Sequence, residues 1–400
     1  MPSNNPLRHP SGFPPQAPQG FALWNLGFRP FYLLAALFAA SGILTWIAQY
    51  AGWTGTATHL SGPLWHAHEM IFGYAFAVVI GFLFTAGHNW TNQPTPKNLR
   101  LALIAALWLA ARVLAFTPWP MAAAAADTAF ALAAAAGLAL PLLRSRNRRN
   151  YFFVALILLL GAANLTFHLS LAGILDVPVQ RGLQLGLDLV LFLMAVMGGR
   201  VIPMFTANTI AGANSIRRPW LERFALGSVL ALIIADLLAL PAILLAVIAG
   251  LAALAHALRL MLWHPWLTWR KPLLWILHAA YAWIAIHLAL RALAALELIA
   301  PNLATHALTV GAIGGMTLGM MMRTSRGHTG RPLEPGRLET LSLVLVQLAA
   351  LLRVLLPLAA PQLYIVWIIL SGLFWSVAFT LFSILYWPIL MRPRIDGRFG

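Results

Sequence analysis

The chain has 400 residues, of which 61% are hydrophobic and only 9% charged, with a mean hydropathy of +0.80. Soluble domains carry about 25% charged residues, so this chain cannot be coated for water, and it reads as an all-α polytopic membrane protein. The net charge of +16 would suggest nucleic acid in a soluble protein, but the basic residues fall in short loops between apolar runs, where they set topology and face anionic lipid; no nucleic-acid partner is expected. Cysteine is absent, which excludes disulfides, thiolate metal sites, iron–sulfur ligation and covalent c-type haem attachment. Any metal must use His, Met, Tyr or carboxylate, and twelve histidines are the whole side-chain nitrogen supply.

Residues 1–24 are rich in Pro, Gln, Gly and Asn, carry no apolar stretch of signal-peptide type, and read as a mobile cytoplasmic tail. A single transmembrane domain follows over 25–391, with residues 392–400 as a cytoplasmic C-terminal tail. Apolar runs of spanning length are predicted at Phe31–Tyr50, His66–Gly87, Leu99–Phe116, Pro120–Leu143, Tyr151–Gly173 and Gly182–Met204. They continue at Trp220–Leu240, Pro241–Trp263, Pro272–Leu296, Leu303–Met322, Leu338–Leu356 and Gln362–Leu390, about twelve spans of the ~20 residues a bilayer needs. Basic residues alternate with the loops. One set holds Lys97 and Arg100, then the arginines at 144–149, Arg217 and Arg218, Arg270 and Lys271, and those at 323–337; the other set holds only Arg181. Both termini are therefore expected in the cytoplasm.

The stretch Trp65-His66-Ala67-His68-Glu69-Met70 opens the second run. Two imidazoles and a carboxylate at the mouth of a membrane helix are costly unless they bind something or each other. On an α-helix His66 and His68 are roughly 200° apart, so one helix can offer ligands to two centres; an unwound first turn would let both bind one metal. Glu69, three residues from His66, shares its face and can orient an imidazole or accept a proton. A polar cluster holding water is the competing reading.

Topology sorts the other polar residues into an outer layer (His59, His66, His68, His168, His287, His306, with Glu69 and Asp188) and an inner one (His88, His256, His264, His278, His328, with Arg29, Arg200 and Arg323). His168 shares a face with Asn164. His306 opens its span one turn before Gly311, Gly315 and Gly319, a shallow face that suits either a flat cofactor or a close helix neighbour. His278 and Tyr281, three apart, pair either as a metal-bound imidazole beside a proton-delivering phenol or as an ordinary hydrogen bond. The basic turn from Arg323 to Arg331 offers guanidiniums for carboxylates or a positive-inside signal. Arg200 lies beside Gly198-Gly199 and before Pro203. Nucleotide loops and H-E-x-x-H are absent, which speaks against an ATP-driven pump or a zincin-type protease.

Several blocks together resemble the NnrS family, haem- and copper-containing membrane proteins of denitrification and the nitric-oxide response. They are Gly27-Phe28-Arg29-Pro30-Phe31, Trp65 to Met70, Asn89-Trp90-Thr91, Gly199-Arg200-Val201-Ile202-Pro203, His306 to Gly314, Arg323-Thr324 and Gly327 to Pro332. The resemblance implies about twelve spans in a bacterial inner membrane, bound haem and copper, and protection against nitric oxide. It favours His66, His68, His278, His306 and His328 as metal ligands, with His168 intermediate; His88 and His287 stand where the family pattern has other residues.

The expectation is thus a haem–copper protein in membrane lipid that binds nitric oxide and removes it or turns it over, fed by an unknown electron donor. His66, His68 and His306 ligate metals on the outer side; His278 and His328 serve a second centre or a propionate rim on the inner side; Arg29, Arg200 and Arg323 hold propionates or fix loop geometry; Glu69 and Tyr281 handle protons. A proton-coupled carrier using Asp188 and Asp236, or a non-catalytic haem/copper sensor or metal-delivery protein, are the alternatives.

Overall fold

The structure, a computed structural model, describes residues 20–55, 60, 62–213, 215–398 and 400. Most of the N-terminal tail and His59 lie outside the described residues. Among those described there is no β-strand, and the chain is an all-α polytopic membrane protein. Twelve helical rods follow one another: α1 Phe28–Tyr50, α2 Gly62–Thr91, α3 Asn98–Leu114, α4 Pro120–Arg144, α5 Phe152–Leu171, α6 Val179–Thr209, α7 Pro219–Leu237, α8 Ala242–Met261, α9 Pro272–Ala295, α10 Pro301–His328, α11 Arg337–Val354 and α12 Tyr364–Met391. Ten are long and apolar enough to cross a membrane. The remaining two are α3, which has 17 residues, and α7, which carries Glu222, Arg223 and Asp236.

Burial ranks the helices. In their apolar stretches α2 is 89% buried, α6 78% and α10 67%, against 39% for α8 and α12. The first three form the centre. The chain wraps them with α3–α4–α5 on one flank, α7–α8–α9 on another, and α11, α12 and α1 closing the third. Prolines at the starts of α4, α7, α9 and α10 sit where the helix needs no N–H.

Two central helices are not uniformly wound. A π-helical stretch occupies Glu69–Ala75 in α2, directly after His68, and a second occupies Ala307–Gly314 in α10, directly after His306. Such wide turns are rare and frequent at functional sites. In addition α2 begins at Gly62, so the two histidines stand in its second turn rather than at its mouth. The face of Gly311, Gly315 and Gly319 is filled by α9: a side chain there would meet Trp283, Ala280 and Ile276. This face is a close helix contact and not a cofactor bed.

Several charged residues within the helices pair across them, as lipid burial favours. Arg291 of α9 holds Asp188 of α6 at 2.7 Å and also holds Asp236 of α7. Arg259 of α8 meets Glu222 of α7 at 2.5 and 2.8 Å. Arg326 of α10 meets Glu339 of α11 at 2.7 Å, and Tyr386 of α12 donates to the same carboxylate at 2.6 Å.

Arg29 ties the first helix to the last. It donates to the carbonyl oxygens of Leu390 at 2.7 Å and Arg392 at 2.8 Å, and to Gly400 O at 2.6 and 3.0 Å. Residues 392–398 lie against the end of α10: Arg394 donates to His328 O, and the Ile395 N–H to Thr329 O. Of the two roles expected for Arg29, holding a propionate or fixing loop geometry, these bonds to the end of α12 and to Gly400 are of the second kind. Hydrogen bonds to charged groups contribute about 1.5–3 kcal/mol each. Arg29→Met is therefore expected to lower the thermal-unfolding midpoint in detergent and to open Arg392 and Arg394 to trypsin, as read by calorimetry and limited proteolysis.

Candidate metal centre and cofactor cavities

Four helices converge beside the π-stretch of α2. α2 supplies His68 and Glu69, α3 Arg112, α4 Asp127, and α5 Asn164 and His168; each is at most 4% exposed. His68 Nδ1 lies 2.9 Å from Glu69 Oε1, and its Nε2 lies 2.8 Å from Asn164 Oδ1 and 3.6 Å from Asp127 Oδ2. His168 Nε2 is 3.2 Å from the same Asp127 oxygen. Arg112 bonds Asp127 Oδ1 at 2.5 Å and approaches Glu69 Oε2 at 3.2 Å.

Glu69 thus partners its neighbour His68, not His66. A carboxylate on Nδ1 fixes the imidazole with its Nε2 lone pair facing inward, the usual arrangement of a metal-binding histidine. There Nε2 meets oxygen atoms that are themselves acceptors. With neutral imidazoles, two carboxylates and one guanidinium leave one negative charge buried, which either a proton on an imidazole or one added cation balances. His68, Asp127 and His168 each offer a ligand atom, all within 4.8 Å of one another. Imidazole and carboxylate together suit a divalent or monovalent transition ion.

His66 points the other way. Its ring stacks on Trp46, 4.8 Å between centroids, and its Nδ1 is buried without a hydrogen-bond partner. It lines a cavity of about 280 Å³ between α1, α2, α6, α10, α11 and α12, which His306, Arg353 and Trp375 also line. His306 Nδ1 lies 2.6 Å from Asn302 O; it donates there and leaves Nε2 free to ligate. Arg353 is 9% exposed, and its Nη1 has no hydrogen-bond partner. We call this the upper cavity, at the end where α2 and α10 begin.

A lower cavity of about 310 Å³ lies at the opposite end, lined by Asn89, Trp90, Phe205, Arg323, Thr324 and His328 among others. Arg323 is 8% exposed. Its guanidinium stands 3.9 Å from the Phe205 ring, and no described residue offers it a carboxylate or a hydrogen bond. His328 stacks obliquely against Phe28.

The remaining expected residues stand elsewhere. Tyr281 is fully buried, and its hydroxyl meets His256 Nδ1 and Arg259 Nη1, each at 2.7 Å. Although His278 is three residues away, its Nε2 lies 2.9 Å from Thr206 Oγ1 and its Nδ1 is unpartnered. Arg200 donates to Asn150 Oδ1 at 3.1 Å and covers the rings of Phe152 and Phe153. Asp127 is not among the residues expected from the sequence, and Arg112 and Arg353 are expected there only to snorkel or pair. The available signal was a lone Asp beside the alanine run of α4 and an arginine in the last turn of each of α3 and α11, ionisable groups within apolar spans that are functional by default.

The profile of the family described as NnrS protein matches residues 22–394 of this chain. The chain belongs to the NnrS family. No curated protein matches it.

The outer partner of His68 is expected to govern metal affinity. Glu69→Gln should weaken transition-metal binding at this cluster about 10–100-fold, and Asp127→Ala should abolish it. Equilibrium dialysis of the purified protein against a metal buffer measures both.

Proposed function

We propose that this protein binds haem and copper in the bacterial inner membrane, with both termini in the cytoplasm, and that it binds nitric oxide and removes it. The observation that carries the reading is the division of labour on α2: His66 faces the upper cavity while His68, two residues on, faces the His68–Asp127–His168 cluster. Family membership supplies the chemistry of the two cofactors.

The upper cavity fits a haem on its donor set. It offers two imidazoles with nitrogens not used by protein, a guanidinium with an unbonded Nη1 for a propionate, and indole walls from Trp46 and Trp375. The cluster fits copper: two imidazoles and a carboxylate with ligand atoms within 4.8 Å of one another, His68 being oriented by Glu69. In the lower cavity Arg323 and His328 are a second place for a carboxylate and a ligand. A bound haem supplies the iron to which nitric oxide coordinates.

The chain's own residues prepare that event. Apolar walls exclude water from the upper cavity. Nitric oxide is small and apolar and reaches it from lipid without a polar channel. Glu69 holds the His68 proton at Nδ1 and is the nearest acceptor for a proton displaced when a cation binds. Tyr281, in its bonds to His256 and Arg259, is a second proton-holding group farther down the bundle. Electrons come from a donor outside this chain. The carrier alternative loses its two carboxylates, since Arg291 holds both Asp188 and Asp236.

The purified protein is expected to show a Soret band that shifts on addition of nitric oxide. His306→Ala should lose or reshape it, and His278→Ala should leave it unchanged. Absence of the band in protein from haem-replete cells, or a band indifferent to nitric oxide, contradicts the reading.

A further inference from the structure

Between the upper and lower cavities lies a third, of about 70 Å³, where α2, α6 and α10 meet. Four methionines line it: Met194 and Met197 from α6, and Met316 and Met320 from α10. Spacings of three and four residues put each pair on one helix face. This space shares Ile313 with the upper cavity, and Met197 and Met320 with the lower one. The methionine-lined space therefore adjoins both the cavity of His66 and His306 and the cavity of His328.

Methionine often fills gaps in cores. Here, however, four of them surround space that is left open. Water fits that space poorly, because it needs two to four polar partners, and the hydroxyls of the lining residues Tyr32 and Thr317 are nearly all it would find; the Thr317 hydroxyl is already bonded to Tyr74, at 2.5 Å, and to Ile313 O. Thioether sulfur is a weak hydrogen-bond acceptor but a good ligand for a soft ion. Among biological metals that description selects Cu(I), whose single charge is also less costly to bury than a double one.

We propose that Met194, Met197, Met316 and Met320 form a binding site for Cu(I), distinct from the His68–Asp127–His168 cluster. The site stands independently of the haem reading.

X-ray absorption at the copper edge tests it directly. The chain has no cysteine, so any copper–sulfur scattering must come from methionine. Full-length protein loaded anaerobically with excess Cu(I) under ascorbate should show a sulfur shell beside a nitrogen/oxygen shell. The variant carrying Met194→Leu, Met197→Leu, Met316→Leu and Met320→Leu, close to volume-conserving, should lose the sulfur shell and bind about one Cu(I) fewer in competition with a chromogenic chelator. Met121→Leu with Met204→Leu, at exposed positions, should change neither, and His68→Ala should keep the sulfur shell. Should the quadruple variant not fold, Met194→Leu and Met316→Leu singly should each reduce the sulfur amplitude. Wild-type protein with only nitrogen and oxygen around copper, or sulfur scattering that survives in the methionine variants, overturns the proposal.

Discussion

The buried cluster of His68, Glu69, Arg112, Asp127 and His168 constrains the rest of this structure. Asp127 and Glu69 are buried with Arg112 as their only full counter-charge. Removing a paired charge from water costs several kcal/mol per ion even after relaxation, and an excess charge costs more. Elsewhere in the fold such groups close into balanced sets: Arg259 with Glu222, and Arg326 with Glu339. The Arg291 group also carries two carboxylates against one guanidinium, but Asp236 is partly exposed and Asp188 sits beside it, so a proton from the aqueous edge can balance it. At His68 no such edge exists. The imidazoles of His68 and His168 instead turn ring nitrogens toward a carboxylate oxygen, a geometry that asks for a cation.

A π-stretch follows directly after His68. Glu69 bonds His68 and approaches Arg112, while His66 lies on the other side of α2 against Trp46. The same device follows His306 in α10. Two helices that begin alike thus aim imidazoles into one upper cavity, while α2 alone also reaches the cluster. Small residues permit the approach. A side chain at Gly73 would strike Arg112, and one at Gly311 would strike Trp283.

Much of this was legible in the sequence. Hydropathy gave the helical membrane class and nearly every helix. The H-x-H spacing gave the separation of His66 from His68, because that separation follows from helix rotation alone. Asn164 and His168 share a face and do meet the same cluster. What was not legible depends on packing or on local winding. Nothing in the string announces that Glu69 begins a π-turn. Asp127 and Arg112 become partners only when α3 and α4 fold back on α2. Arg29 looked like a ligand-binding arginine, but the carbonyls at the end of α12 lie some 360 residues away in sequence. Tyr281 and His278, near in sequence, bond into different neighbourhoods because α8 approaches one and α6 the other.

The central claim is that two histidines of α2, two residues apart, serve two separate centres. Haem and copper contents of purified His66→Ala and His68→Ala, measured side by side with the wild type, test it most directly. The account predicts a double dissociation: the first variant loses haem and keeps copper at the cluster, and the second keeps haem and loses that copper. Parallel loss of both cofactors in each folded variant, or retention of both in each, would contradict it.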